Sequence, residues 1–142
     1  MAALTSDRNT VVRTGEMFAR AVKGDVKIYA GALVCLDVNG FAVPGGVATT
    51  LKSDGRAEVD ADNTLGADGA ITVQIRPGIY RWDNSAGGDL IAQANIGAPA
   101  YVVDDHTVAL TNGGATRSLC GVIRDVDAQG VWVATGNPSF QE

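Results

Sequence analysis

The chain has 142 residues, 46% apolar and 19% charged, with 11 Lys plus Arg against 16 Asp plus Glu for a formal net charge of −5. This composition excludes a disordered polymer and predicts one globular domain. It also speaks against nucleic acid as a partner, because a duplex binder carries a basic stripe to neutralise phosphates.

Residues 1–10 (MAALTSDRNT) lack a basic segment followed by a long apolar core, so no secretory signal is read and synthesis in the cytoplasm is expected. Residues 1–22 carry Arg8, Arg13 and Arg20 with Asp7 and Glu16 and show little apolar pattern before Met17. They read as an N-terminal arm, and residues 23–142 as a β-rich domain. Within the arm, residues 14–22 suit either an extended segment or one short helix capped by Thr14, barely two turns long and followed by Gly24. Such an arm either orders against a neighbour or stays a loose tail. The longest apolar run, residues 29–36 (YAGALVCL), is far shorter than the roughly 18–20 residues of a membrane helix, so no membrane partner is expected.

The 18 glycines sit at punctuation points. Asn39-Gly40, between residues 36–38 and 41–43, suits a two-residue type I′ hairpin turn. Further turn pairs stand at Asp54-Gly55, Asp68-Gly69, Pro77-Gly78, Asn112-Gly113 and Gln129-Gly130. The short runs between them are rich in Val, Ile, Tyr and Trp. They predict an all-β fold, a small single-domain antiparallel β-barrel or sandwich built of short hairpins. In residues 70–76, Ile71, Val73 and Ile75 fall on one face and Thr72, Gln74 and Arg76 on the other. A turn at Pro77-Gly78 is expected to fold residues 79–82 back onto them, with Tyr80 and Trp82 sharing a face. Residues 122–126 and 131–134 flank Asp127-Ala128-Gln129-Gly130 as a second hairpin, whose Trp132 closes a barrel or lines an interface.

Reactive constellations are scarce. The phosphate-binding Gly-rich loop, the Gly-x-Ser-x-Gly elbow and the His-Glu-x-x-His zinc helix are all missing. The single histidine, His106, sits in Asp104-Asp105-His106-Thr107, which reads as a turn between strands. Ser118, His106 and an Asp supply the residue types of a triad without its local motif. Asp60-Ala61-Asp62-Asn63-Thr64-Leu65-Gly66 opens like a calcium loop, but Leu65 and Ile71 occupy the positions that want Gly and Glu, so it reads as a solvated loop. Cys35 and Cys120 stand in apolar company and read as buried thiols of a reducing compartment. No enzyme activity, cofactor or metal is expected.

Several blocks, in order, carry a family resemblance. Asp7-Arg8-Asn9-Thr10, residues 26–34 (VKIYAGALV), residues 40–45 (FAVPG following Gly40) and Gly55-Arg56-Ala57-Glu58 resemble the capsid cement, or decoration, proteins of tailed bacteriophages and prophages. Residues 76–87 (RPGIYRWDNSAG), 100–109 (AYVVDDHTVA), 119–127 (LCGVIRDVD) and 130–133 (GVWV) are similar to later blocks of that family. Pro77 and Cys120 depart from it, standing where an ordinary strand residue and a small residue are expected. The resemblance implies a structural virion protein, made in the host cytoplasm and bound to the outer capsid surface as a homotrimer. Its partners would be the major capsid protein and itself, and residues 23–142 would be the decoration domain. The arm residues Arg8, Asn9, Thr10 and Arg13 are the candidates for capsid or subunit contact, by adding a strand to an exposed sheet edge. Tyr80, Trp82 and Trp132 read equally as interface or core residues. The alternative is a head-surface module that binds host or carbohydrate.

Overall fold

The computed structural model describes residues 5, 6 and 17–136. Twelve strands are described: β1 (Phe18–Ala21), β2 (Lys27–Ile28), β3 (Leu33–Leu36), β4 (Ala42–Pro44), β5 (Lys52–Ala57), β6 (Ala61–Asp62), β7 (Thr72–Arg76), β8 (Gly78–Trp82), β9 (Pro99–Val102), β10 (Val108–Ala109), β11 (Leu119–Asp127) and β12 (Gly130–Thr135). Among the described residues, two short 3₁₀ turns, Gly87–Asp89 and Gln93–Asn95, interrupt them. The strands form three antiparallel sheets, ordered β1-β7-β5-β3-β4, β10-β9-β11-β12-β8 and β2-β6.

The fold is therefore all-β, as the turn spacing predicts, but among the described residues no sheet closes into a barrel. Each five-stranded sheet touches its own far edge at one place. A parallel bridge joins Val22, just past β1, to Ala42 in β4, and another joins Asp83, just past β8, to Thr107 before β10. One bridge is not a ladder, so among the described residues the edges stay open over most of their length.

The cores explain the layering. Leu33 and Cys35 of β3 pack with Trp82, Val102, Ile123, Val131 and Val133 of the second sheet. Val34, on the opposite face of β3, packs with Val22, Ile28, Ala42, Val73 and Ile75 beneath the β2-β6 pair. A strand covered on both faces reads as a continuous apolar run, which is what residues 33–36 show. Each fully buried Val or Ile contributes about 1.5–3 kcal/mol, so these two clusters hold the sheets together.

Two hairpins form where turn chemistry places them, and one does not. Around Asn39-Gly40, β3 pairs with β4, with Cys35 opposite Val43. Its turn is not type I′: Gly40 has φ +84 while Asn39 keeps a negative φ. The Asp37–Phe41 backbone hydrogen bond closes a three-residue loop of the kind that ends in a left-handed glycine. The β11–β12 hairpin has Asp127 opposite Gly130, with a bulge between Ile123 and Asp125. The expected hairpin across Pro77 is absent. β7 pairs with β1 and β5, whereas β8 pairs with β12. One connecting residue cannot reverse an antiparallel pair, so the chain passes at Pro77 from one sheet to the other. Gly55 makes this crossing possible, since a Cβ there would collide with the Arg76 carbonyl.

Residues 18–21, inside the stretch read as an arm, are a sheet strand with Phe18 opposite Ile75. Of the two forms open to residues 14–22, this part adopts the extended one. The alternation in residues 70–76 holds: Val73 and Ile75 are buried, with Ile71 packed against them.

Candidate functional site

Residues from β8 and β12 build the most chemically varied surface. Arg81 stands opposite Trp132, and Tyr80 opposite Val133. Tyr80 and Trp82 do share a face, their rings edge to face with centroids 6.0 Å apart. Trp82 is buried in the core and donates its indole N–H to Thr135 Oγ1 at 2.9 Å. Its partner hydroxyl satisfies the buried N–H, which makes an indole affordable there. Tyr80 is half-buried; its hydroxyl donates to the Arg76 carbonyl at 2.8 Å, and the Arg56 guanidinium lies 4.5 Å from its ring centroid.

Trp132 is half-buried on the opposite face of β12, with Arg81 5.6 Å from its ring centroid. Its indole N–H donates to Asp127 Oδ2 at 2.8 Å, and this bond, with the Gln129 and Gly130 amides, holds the Asp127 carboxyl below the usual range. Ile79 and Arg81 point outward from β8, which has no strand on its other side among the described residues. Arg56, Ile79, Tyr80, Arg81 and Trp132 border a shallow concavity of about 450 Å³. Glu58 receives both Arg56 and Arg76, at 2.8 Å each, and fixes the cationic side of this surface. Arg8, Asn9, Thr10 and Arg13 lie outside the described residues.

His106 forms a second cluster. Its Nδ1 lies 2.9 Å from Asp83 Oδ2 and its Nε2 3.5 Å from Asp104 Oδ1. The hydrogen bond to Asp83 raises its pKa, helped by the charges of Asp104 and Asp105. Donor atoms of Asp104, Asp105 and His106 lie within 4.8 Å of one another, a spacing a cation could bridge. The backbone around them already forms the bridge between sheet edges, with Asp83 N–H donating to His106 O and Val108 N–H to Asp83 O. The ring thus clamps a turn. Ser118 is buried, donates to the Ala48 carbonyl and accepts from the Leu51 amide, so its hydroxyl serves the 48–51 loop and makes no hydrogen bond to His106.

The acidic loop at residues 60–66 is more ordered than a solvated loop. Asp60 and Asp62 accept from the Ala30 and Thr64 amides. Asn63 is buried and its Nδ2 donates to the carbonyls of Val22, Lys23 and Ala67 at 2.9–3.2 Å. That anchor was invisible in the sequence, where an Asn between Asp62 and Thr64 is ordinary loop chemistry. Cys35 and Cys120 are free thiols in one core cluster, and burial pushes both up to about 12.

No family model, curated protein or solved structure matches the chain.

Proposed function

We propose that the protein is a structural component of a tailed-phage virion, a homotrimer that binds the outer capsid surface and cements the major capsid protein lattice. What carries this reading is the run of resembling blocks, in one order over nearly the whole chain. The geometry is compatible with it. The block at residues 76–87 contains β8, an edge strand turning Ile79 and Arg81 outward beside Trp132, a surface suited to contact. Among the described residues, the imidazole, the indoles and the Ser118 hydroxyl are each engaged in holding the fold. We take the two five-stranded sheets as the halves of a sandwich.

Cementing is linkage: a protein that binds the assembled lattice and not its dispersed subunits stabilises the lattice by mass action. A trimer turns its second and third contacts into intramolecular events, so modest patches sum to tight attachment. A carbohydrate platform would need several free aromatic faces, whereas Trp82 is buried and the Tyr80, Tyr29 and Trp132 rings each lie against a cation, Arg56, Lys27 and Arg81.

Co-sedimentation with undecorated heads tests the reading. The wild type is expected to pellet at a saturable stoichiometry matched to the lattice and to raise the heads' resistance to heat. Arg81→Glu should weaken pelleting while leaving the melting temperature within a few degrees. Failure of the wild type to pellet overturns the proposal.

A further inference from the structure

The chain holds two Asn-Gly pairs, Asn39-Gly40 between β3 and β4 and Asn112-Gly113 between β10 and β11, and both asparagines are exposed. We propose that Asn39 is a site of spontaneous deamidation in the folded protein and that the fold shields Asn112 from the same reaction. The chemistry is intramolecular. The Gly nitrogen, losing its proton to base, attacks Asn Cγ; the Cγ–Nδ2 bond breaks and ammonia leaves. Water then opens the resulting five-membered imide at either of its C–N bonds, giving aspartate or, when the main-chain side opens, isoaspartate. No oxidant or reductant takes part. A following glycine favours the attack because it has no side chain to hinder its nitrogen. The Asn-Gly peptide plane must rotate and the side-chain amide must swing over it, so every hydrogen bond held by that plane or that amide opposes the reaction.

At Asn39 the opposition is slight. The Gly40 N–H donates to the Asp37 carbonyl at 3.0 Å, and among the described residues neither the Asn39 carbonyl nor its side-chain amide has a partner. Asn112 is held from several sides. Its carbonyl accepts the Thr116 and Arg117 amides at 2.9 and 3.0 Å, its Oδ1 accepts the Ala115 amide at 3.1 Å, and the Gly113 N–H donates to Thr111 Oγ1 at 3.3 Å. Arg117 is itself fixed, to Asp89 at 3.1 Å and to the Thr111 carbonyl at 3.0 Å. These additional bonds, each worth a few-fold in rate, slow Asn112 by at least about tenfold relative to Asn39.

The product forms at a sensitive place. Asp37 Oδ1 accepts the Asn39 and Phe41 amides at 2.9 and 3.0 Å and so shapes the loop between β3 and β4. Isoaspartate lengthens the main chain of that loop by one methylene carbon. Either acid sets a new carboxylate beside Asp37 and makes the formal charge of −5 more negative. β4 ends its sheet and is held there by β3, so a change in this loop acts on the edge strand directly.

Incubating the full chain in mildly alkaline buffer, with anion exchange and peptide mapping by mass spectrometry over a time course, tests this. Acid and isoaspartate are expected at Asn39, with Asn112 converting at least about tenfold more slowly. In urea, which releases both turns, the two rates should agree to within about threefold, since both are Asn-Gly pairs. Asn39→Ser should remove the fast phase of ammonia release and leave the slow one. No conversion at Asn39 in the folded chain, conversion of Asn112 at an equal or higher rate, or the same preference in urea as in buffer overturns the proposal.

Discussion

Replacing Asn63 by Ala should destabilise the whole domain, although the residue sits in a loop. Its amide group supplies two N–H bonds to three carbonyls from two segments, Val22 and Lys23 on one and Ala67 on the other. Each such bond is worth about 0.5–1.5 kcal/mol net. The Val22 and Ala67 carbonyls keep the Gly69 and Ala70 amides as partners when the side chain is removed, so the expected loss is that of two bonds, about 1–3 kcal/mol. With an unfolding entropy of about 0.3 kcal/mol/K for a chain of this length, the melting temperature should fall by about 3–10 °C. Asn63→Asp keeps the shape but sets a carboxylate against three carbonyl oxygens. Its folded pKa is thereby raised above the unfolded value near about 3.9, so the folded state holds more protons and stability falls as pH rises above that value. Urea unfolding of both variants between pH 4 and 8, with hydrogen exchange at the Leu65 and Gly66 amides, measures this. An Asn63→Ala protein within about 0.5 kcal/mol of wild type, with unchanged exchange at those amides, would refute the anchoring role.

Two further expectations concern residues singled out by their chemistry. Trp82→Ala should lose about 3–5 kcal/mol, because it empties a packed core site, whereas Trp132→Ala, half-exposed, should lose less than about 1.5 kcal/mol. Calorimetry that reversed this order would contradict the assignment of Trp82 to the core. For His106, the folded pKa is raised by Asp83, so its contribution is complete below the unfolded value of about 6.5 and disappears as pH climbs through the higher folded value. The ring is 63% exposed, which keeps the effect under about 1 kcal/mol. Wild-type stability should decline across that window and His106→Asn should flatten the decline; parallel slopes in the two proteins would show that the clamp contributes nothing.

The amino-acid sequence by itself determined the class of fold and much of its punctuation. Alternation at Ile71, Val73 and Ile75 identifies a half-buried strand, and Asp127-Ala128-Gln129-Gly130 marks a hairpin, because period and turn chemistry are properties of neighbouring residues. Which strands pair is a different matter. Pro77-Gly78 looks like a turn, yet the chain crosses there from β7 in one sheet to β8 in another, a step decided by the partners β5 and β12 far along the chain. Likewise Trp82 and Trp132 are equal as sequence, and only the packing of two sheets puts one inside and leaves the other beside Arg81. Asn63 makes the same point for the loop at residues 60–66. Its role comes from Val22 and Lys23, about 40 residues away, which meet it only once the ends of β1 and β6 have been brought together by burial of the core.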